Sequence, residues 1–184
     1  SQGASAPLIQ LLVSLLEGNE EATQIDGDGD LRAMSLRYLS QLMGPAAVRF
    51  QKFFVRALGS KNLETRRMGL RALHNLGPAA KRFYPQILAR IEDADESIRH
   101  LAGDTLCATF PPSAVGRLLC KRILEHQDAA VREVAMTAFS RLFRTSHRKH
   151  VRNLIPQLAQ AGCDPSSSLV RMQAMQLMLD TVVG

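Results

Sequence analysis

Near the N-terminus, Asp26-Gly27-Asp28-Gly29-Asp30 carries oxygen donors at alternate positions, as the start of a calcium loop does. Such a loop also needs glycine at its sixth position and a bidentate glutamate at its twelfth. Here those positions are Leu31 and Arg37, and a cation at the twelfth would repel the ion. The run therefore reads as a solvated loop ending in a helix cap, and Gly18 to Gly29 as an acidic arm for a basic partner. His147 and His150 lie three apart with Cys163 thirteen further on. A closed zinc site wants four ligands, and nothing at good spacing completes this set. The chain has no Gly-x-Ser-x-Gly elbow and no phosphate-cradling glycine loop. These absences predict a protein with no catalytic residue, no metal and no cofactor.

Cations offer the better candidates. The net charge is +6, unevenly spread. Residues 1–30 hold Glu17, Glu20, Glu21, Asp26, Asp28 and Asp30 with no Lys or Arg, a charge of −6. The remainder is +12, with 23 basic against 11 acidic residues. A basic body suggests an acidic partner. Arg37, Arg67 and Arg71, with His74 one turn on, are expected to form a stripe along one face of successive helices. A second cluster gathers Arg144, His147, Arg148, Lys149, His150 and Arg152 at an interhelix turn. The first partner to expect is another protein with an acidic segment, and the second is nucleic acid, held through phosphates in a salt-dependent way. Aromatic residues are only 5% of the chain and fall mostly on core-facing positions, which disfavours base stacking.

What positions these residues is an internal repeat. Leu31-Arg32, Thr65-Arg66, Ile98-Arg99, Val131-Arg132 and Val170-Arg171 place their arginines 34, 33, 33 and 39 residues apart. Three positions after each arginine stands a small residue: Ser35, Gly69, Ala102, Ala135 or Ala174. Four positions before the first four stand Asp28, Asn62, Asp95 and Asp128, each a good helix N-cap. Gly44-Pro45-Ala46-Ala47-Val48-Arg49-Phe50 returns 33 residues later as Gly77-Pro78-Ala79-Ala80-Lys81-Arg82-Phe83. Apolar residues at i, i+3, i+4, i+7 spacing mark the helices: Phe50, Phe53, Phe54, Ala57 and Leu58, then Phe83, Tyr84, Ile87, Leu88 and Ile91. In a second helix, Val131, Val134, Ala135, Ala138, Phe139 and Leu142 continue the theme. Five two-helix units are predicted, at about 7–43, 45–76, 78–110, 111–144 and 147–183, forming one domain of something longer. The recurrent arginine should bond to an acidic side chain or to helix-end carbonyls, holding one unit against the next.

The stretch Pro85-Gln86-Ile87-Leu88-Ala89-Arg90-Ile91-Glu92-Asp93, followed by Ile98-Arg99-His100-Leu101-Ala102, resembles a HEAT repeat. Pro156-Gln157-Leu158, Asp164, Val170-Arg171 and Ala174 repeat the pattern, and Asp26 precedes Arg32 by six residues as Asp93 precedes Arg99. The resemblance covers nearly the whole chain; among such proteins the vertebrate Maestro-like group comes to mind, though no single motif secures a subfamily. It implies an all-α, right-handed solenoid of about five stacked hairpins, acting as a non-enzymatic scaffold that binds a partner segment. It also implies a ladder of Arg32, Arg66, Arg99, Arg132 and Arg171 with Asp26, Asp93 and Asp164. Ser60 and His126 stand where the aspartate belongs and Gly69 where alanine belongs, so the ladder is expected to fail at the second and fourth units. The period is shorter than the ~40 residues usual for HEAT. The chain has no Trp, which excludes the tetratricopeptide signature and weakens a likeness to tubulin-binding HEAT domains.

Cys107, Cys120 and Cys163 form no CxxC pair and are odd in number, so reduced, structural thiols and an intracellular home, cytoplasmic or nuclear, are expected. No apolar run is long enough to span a bilayer. Oligomeric state stays open, since both ends are apolar: Leu8, Ile9, Leu11 and Leu12 at one, Leu177, Met178, Leu179 and Val182 at the other.

Overall fold

The structure is a computed structural model that describes residues 6–17, 28–42, 44–144 and 148–183. It is all-helical, with no strand among the described residues. The elements come in pairs. Helix α1 (Ala6–Glu17) precedes α2 (Asp28–Leu42). A 3-10 segment (Gly44–Phe50) runs into α3 (Gln51–Ala57), and α4 (Leu63–Leu76) follows. Another 3-10 segment (Gly77–Phe83), α5 (Tyr84–Ala89) and a short 3-10 turn (Arg90–Glu92) lead to α6 (Glu96–Thr109). Helix α7 (Pro112–Glu125) pairs with α8 (Ala129–Arg144). Last, α9 (Arg148–Val151) and a 3-10 segment (Arg152–Cys163) precede α10 (Ser168–Val183). The second helix of each pair packs on its own first helix and on the second helix of the next pair, so that α2, α4, α6, α8 and α10 touch in chain order.

Helices α4, α6, α8 and α10 begin where side-chain caps stand. Asn62 Oδ1 accepts from the Thr65 amide at 2.9 Å, Asp95 Oδ1 from Ile98 at 3.2 Å and Asp128 Oδ1 from Ala130 at 2.9 Å. In the last pair Ser167 takes this place, accepting from the Val170 amide at 3.1 Å. Each cap satisfies a first-turn N–H that has no partner inside the helix. Asp28 and Asp30 open α2, so their backbone is helical and not looped. Asp26 and His147 lie outside the described residues.

One apolar core runs from α1 to α10. Phe53, Phe54, Ala57 and Leu58 are buried as their spacing predicts, and so are Val131, Val134, Ala135, Ala138, Phe139 and Leu142. Tyr84 departs from that expectation. It is exposed and meets the ring of Phe110 edge-on at 5.8 Å, which lets the phenol stay in water. The first helices are also less regular than the second. Pro156 sits inside the 152–163 segment, where it can give no N–H and its ring crowds the preceding turn, and the backbone winds as 3-10 helix instead.

The small residue after each arginine is buried, and at Gly69 the helices approach closely. A Cβ on Gly69 would stand 2.8 Å from the Phe54 carbonyl oxygen and 2.9 Å from the Ala57 Cβ. The replacement of alanine by glycine at this unit therefore follows from α3 lying tighter on α4 than a methyl group allows.

Candidate interaction surface

The recurrent arginines stand at the helix starts, where each can reach the turn behind it and the pair ahead. Arg66 Nη1 donates to the carbonyls of Ser60 and Lys61, both at 3.0 Å, and Arg99 Nη1 to those of Asp93 and Ala94 at 2.9 and 3.0 Å. Arg132 Nη1 does the same to His126 and Gln127, and Arg171 Nη1 to Asp164. These carbonyls close the turn within a pair, so the guanidinium staples the two helices together.

At Arg66 and Arg132 the other face of the guanidinium reaches an aspartate of the next pair. Arg66 Nη2 donates to Asp93 Oδ1 at 3.2 Å. Arg132 holds Asp164 with two bonds, Nε to Oδ2 at 2.7 Å and Nη2 to Oδ1 at 3.1 Å, and also donates to Ser166 Oγ. Asp164 further accepts from the Ser166 and Ser167 amides, each at 2.9 Å. The Arg132 guanidinium and then those serine donors hold the Asp164 carboxyl well below the usual carboxylate range, against the opposing effect of burial. Ahead of Arg99 the equivalent residue is His126, whose Nε2 lies 3.6 Å from Glu92 instead. Arg32 is buried on α2 with Ser60 in the place ahead of it.

The stripe proposed from sequence divides. Arg37 on α2, and Arg71 and His74 on α4, are exposed. Both arginines stand five residues after their recurrent arginine, on helices that pack side by side. Among the described residues neither has a carboxylate partner. Arg67 belongs elsewhere. It bonds to Glu64, and its Nη2 donates to Ser97 Oγ at 3.1 Å, because one residue after the recurrent arginine the helix faces the next pair. Arg67 is thus an interhelix tie. On α6 the position matching Arg37 and Arg71 is Asp104, which bonds to Arg141, so the stripe stops after two helices.

The second cluster also splits. Arg148 Nη2 donates to the Asp180 carbonyl at 2.6 Å with its guanidinium 4.8 Å from the Phe143 ring centre, and Arg152 Nη2 donates to the Thr181 carbonyl at 3.3 Å. Both cap the C-terminal turn of α10, whose last carbonyls lack partners inside the helix and carry partial negative charge. Lys149, His150 and Arg144 remain exposed. Among the described residues no group of His, Cys, Asp and Glu could hold a metal ion. Cys107 is half-buried, and burial pushes its thiol up to about 12.

A further basic surface escaped the sequence reasoning. Arg49, Lys52, Arg56, Lys81, Arg82, Arg117 and Lys121 are exposed on the first elements of their pairs. Arg49 and Arg82 stand over Phe50 and Phe83 at 4.8 and 4.7 Å. Their 33-residue recurrence was the available signal, although recurrence also marks structural arginines.

No family model matches the chain, and no curated protein does. Among solved structures it is similar to the crystal structure of an engineered protein, with a TM-score of 0.53 and 17% identity over 90% of this chain and 76% of the other. At that identity the likeness concerns fold alone. No helix among the described residues is long and apolar enough to cross a membrane.

Proposed function

We propose that this chain is a HEAT-type α-solenoid, a non-enzymatic intracellular scaffold that binds an acidic segment of another protein across α2 and α4. The observation that carries the reading is the pair Arg37 and Arg71: same register, consecutive packed helices, exposed, and without a carboxylate partner among the described residues. His74 one turn beyond Arg71 and Tyr38 beside Arg37 extend that surface. Stacked helical pairs offer long shallow faces suited to a partner's helix or extended segment. Charge-assisted hydrogen bonds to Asp and Glu would set the register of that segment. Support for the solenoid comes from the chain-ordered packing of the second helices and the arginine staple repeated in four pairs.

The test is binding of a labelled acidic peptide, rich in Asp and Glu, followed by anisotropy at rising salt. Arg37→Glu with Arg71→Glu is expected to weaken binding by tenfold or more, while Lys149→Glu leaves it nearly unchanged. Equal loss from all three would overturn the assignment of the site. The exposed cations of the first helices favour phosphate as a second ligand class. Random duplex DNA in the same titration separates the two: steeply salt-dependent binding to DNA and none to the peptide would reverse the order.

A further inference from the structure

The first elements of successive pairs lie side by side in chain order. Arg90 Nη1 donates to the Leu58 carbonyl just past α3 at 3.1 Å, Arg122 reaches Glu92 at 3.1 Å, and α7 packs on the 152–163 segment. Their charge differs from that of the second helices. Residues 44–57, 77–92, 112–125 and 148–163 hold twelve Lys and Arg against two acids, Glu92 and Glu125. The five second helices hold ten against seven, and five of those ten are the recurrent arginines. The excess positive charge therefore sits mainly on the layer of first elements.

Helical spacing turns these cations outward. Arg49, Lys52 and Arg56 follow one another at i, i+3 and i+7 and are exposed, turned away from the buried Phe53, Phe54 and Ala57. On α7, Arg117 and Lys121 are four apart and exposed, turned away from the buried Val115, Leu119 and Ile123. Between them in the fold, Lys81 and Arg82 are exposed beside the buried Ala80. Arg49 and Arg82 each stand over the ring of the phenylalanine that follows, at 4.8 and 4.7 Å. That contact holds the guanidinium in place before a ligand arrives, so less side-chain freedom is lost when it donates. Among the described residues Arg56, Lys81, Arg82 and Arg117 have no carboxylate partner.

Neighbouring helices lie about 8–10 Å apart, so the field runs about 20 Å from α3 to α7. From Arg49 to Arg56 it extends about 10 Å in the other direction. A two-dimensional field of cations with few acids matches a rigid, evenly charged surface better than one extended peptide. A nucleic-acid duplex offers that surface: with one phosphate charge per about 1.7 Å of axis, about six base pairs would face the field. A bilayer fits less well. Among the described residues of these elements the large exposed apolar side chains are Tyr84 and Leu124, while Phe50 and Phe53 are buried, so little is offered for insertion below the headgroups. A single strand would want stacking rings, and the Tyr84 ring is engaged edge-on with Phe110. We propose that the face formed by the first elements binds the phosphate backbone of a nucleic-acid duplex without reading its sequence. This surface shares no residue with the Arg37 and Arg71 surface, so either reading can fail alone.

The experiment is fluorescence anisotropy of a labelled random-sequence DNA duplex of about 20 base pairs with the full chain, from about 50 to 200 mM salt. Log affinity should fall against log salt with a slope of about −4 to −5, as four to six phosphate contacts require. Lys81→Glu with Arg117→Glu alters two exposed residues, and a melting curve will show that the variant still folds. It is expected to weaken duplex binding at least tenfold, to flatten the slope by about two and to leave acidic-peptide binding unchanged. Arg37→Glu with Arg71→Glu makes the same change in net charge and is expected to leave duplex binding within twofold. Absence of duplex binding at the lowest salt overturns the proposal. So does equal loss from the two double variants, which would mean attraction by net charge alone. So does binding to phosphatidylserine vesicles without binding to the duplex, which would assign the face to a membrane surface.

Discussion

Replacing Asp164 with alanine tests whether the forward arm of the arginine staple is a major source of coupling between pairs. Asp164 and Arg132 side chains are 6% and 9% exposed, so the ion pair is almost wholly removed from water. Removing the carboxylate leaves Arg132 Nε without a partner and frees the Ser166 and Ser167 amides that close the turn before α10. Truncating one member of a buried, hydrogen-bonded pair costs about 3–5 kcal/mol, largely from the charge left behind. Arg132 keeps the His126 and Gln127 carbonyls, which places the expectation near the lower end, about 3 kcal/mol. For a chain of this size each kcal/mol lowers Tm by roughly 2–4 °C, so the melting curve should move by about 6–12 °C. Arg99 is the internal control. It makes the same two carbonyl bonds with no aspartate ahead, so Arg99→Ala should cost only about 1–2 kcal/mol. Because the lost bonds tie the turn before α10 to Arg132 on α8, Asp164→Ala should also loosen α10 first, visible as faster amide exchange there than in α4. If Asp164→Ala and Arg99→Ala prove equal within error, or protection falls evenly along the chain, the forward arm does not couple the pairs.

Four further outcomes follow. The depressed Asp164 pKa contributes stability above its ordinary value of 3.8 that is lost as pH falls below that value, so acid unfolding monitored by circular dichroism should begin at α10 and vanish as a distinct phase in Asp164→Ala. Gly69→Ala should destabilise by about 1–3 kcal/mol in urea unfolding, because the methyl would press on the Phe54 carbonyl and the Ala57 side chain. Asn62→Ala removes the α4 cap and should cost about 1 kcal/mol by the same measure. With a thiol reagent under native conditions Cys163, which is exposed, should react rapidly, while Cys120 and Cys107 wait for unfolding; three fast thiols would contradict the burial described.

Much of the fold was legible because the repeated features have short-range causes. A cap, a recurrent arginine four residues later and a small residue three beyond that all act within one helix start, so spacing alone exposes them. Helix irregularity was less legible, since Pro156 signals a break but not whether the chain kinks or tightens into 3-10 turns. Tyr84 fitted the apolar spacing, yet its hydroxyl needs water, and only the packing of Phe110 shows how the ring is used. The interaction surface was legible in part. Arg37 and Arg71 are separated from Arg67 by which neighbour each register position faces, and that direction depends on how one pair is turned against the next. Arg148 and Arg152 look like a ligand-binding cluster until the C-terminus of α10 is found beside them, about thirty residues away in sequence.

The departures from the repeat pattern carry the remaining information. Asp93 and Asp164 occupy the forward position and are bridged by Arg66 and Arg132, while Ser60 and His126 occupy it and are not acids. Pairs of the recurrent arginine with a buried aspartate therefore fall, among the described residues, at the second-to-third and fourth-to-fifth junctions. The third-to-fourth junction relies on apolar contact, on Asp104 with Arg141 at its exposed rim, and on Glu92 with Arg122 between first elements. A bidentate buried pair resists shear, whereas rim-exposed pairs of this kind contribute roughly 0–1 kcal/mol and tolerate it. When the chain flexes, α6 against α8 is where it should give. Amide exchange of the α6–α8 boundary at rising salt would register this: salt should speed opening there and leave the Arg132–Asp164 junction unaffected, since screening reaches exposed charges far more than buried ones.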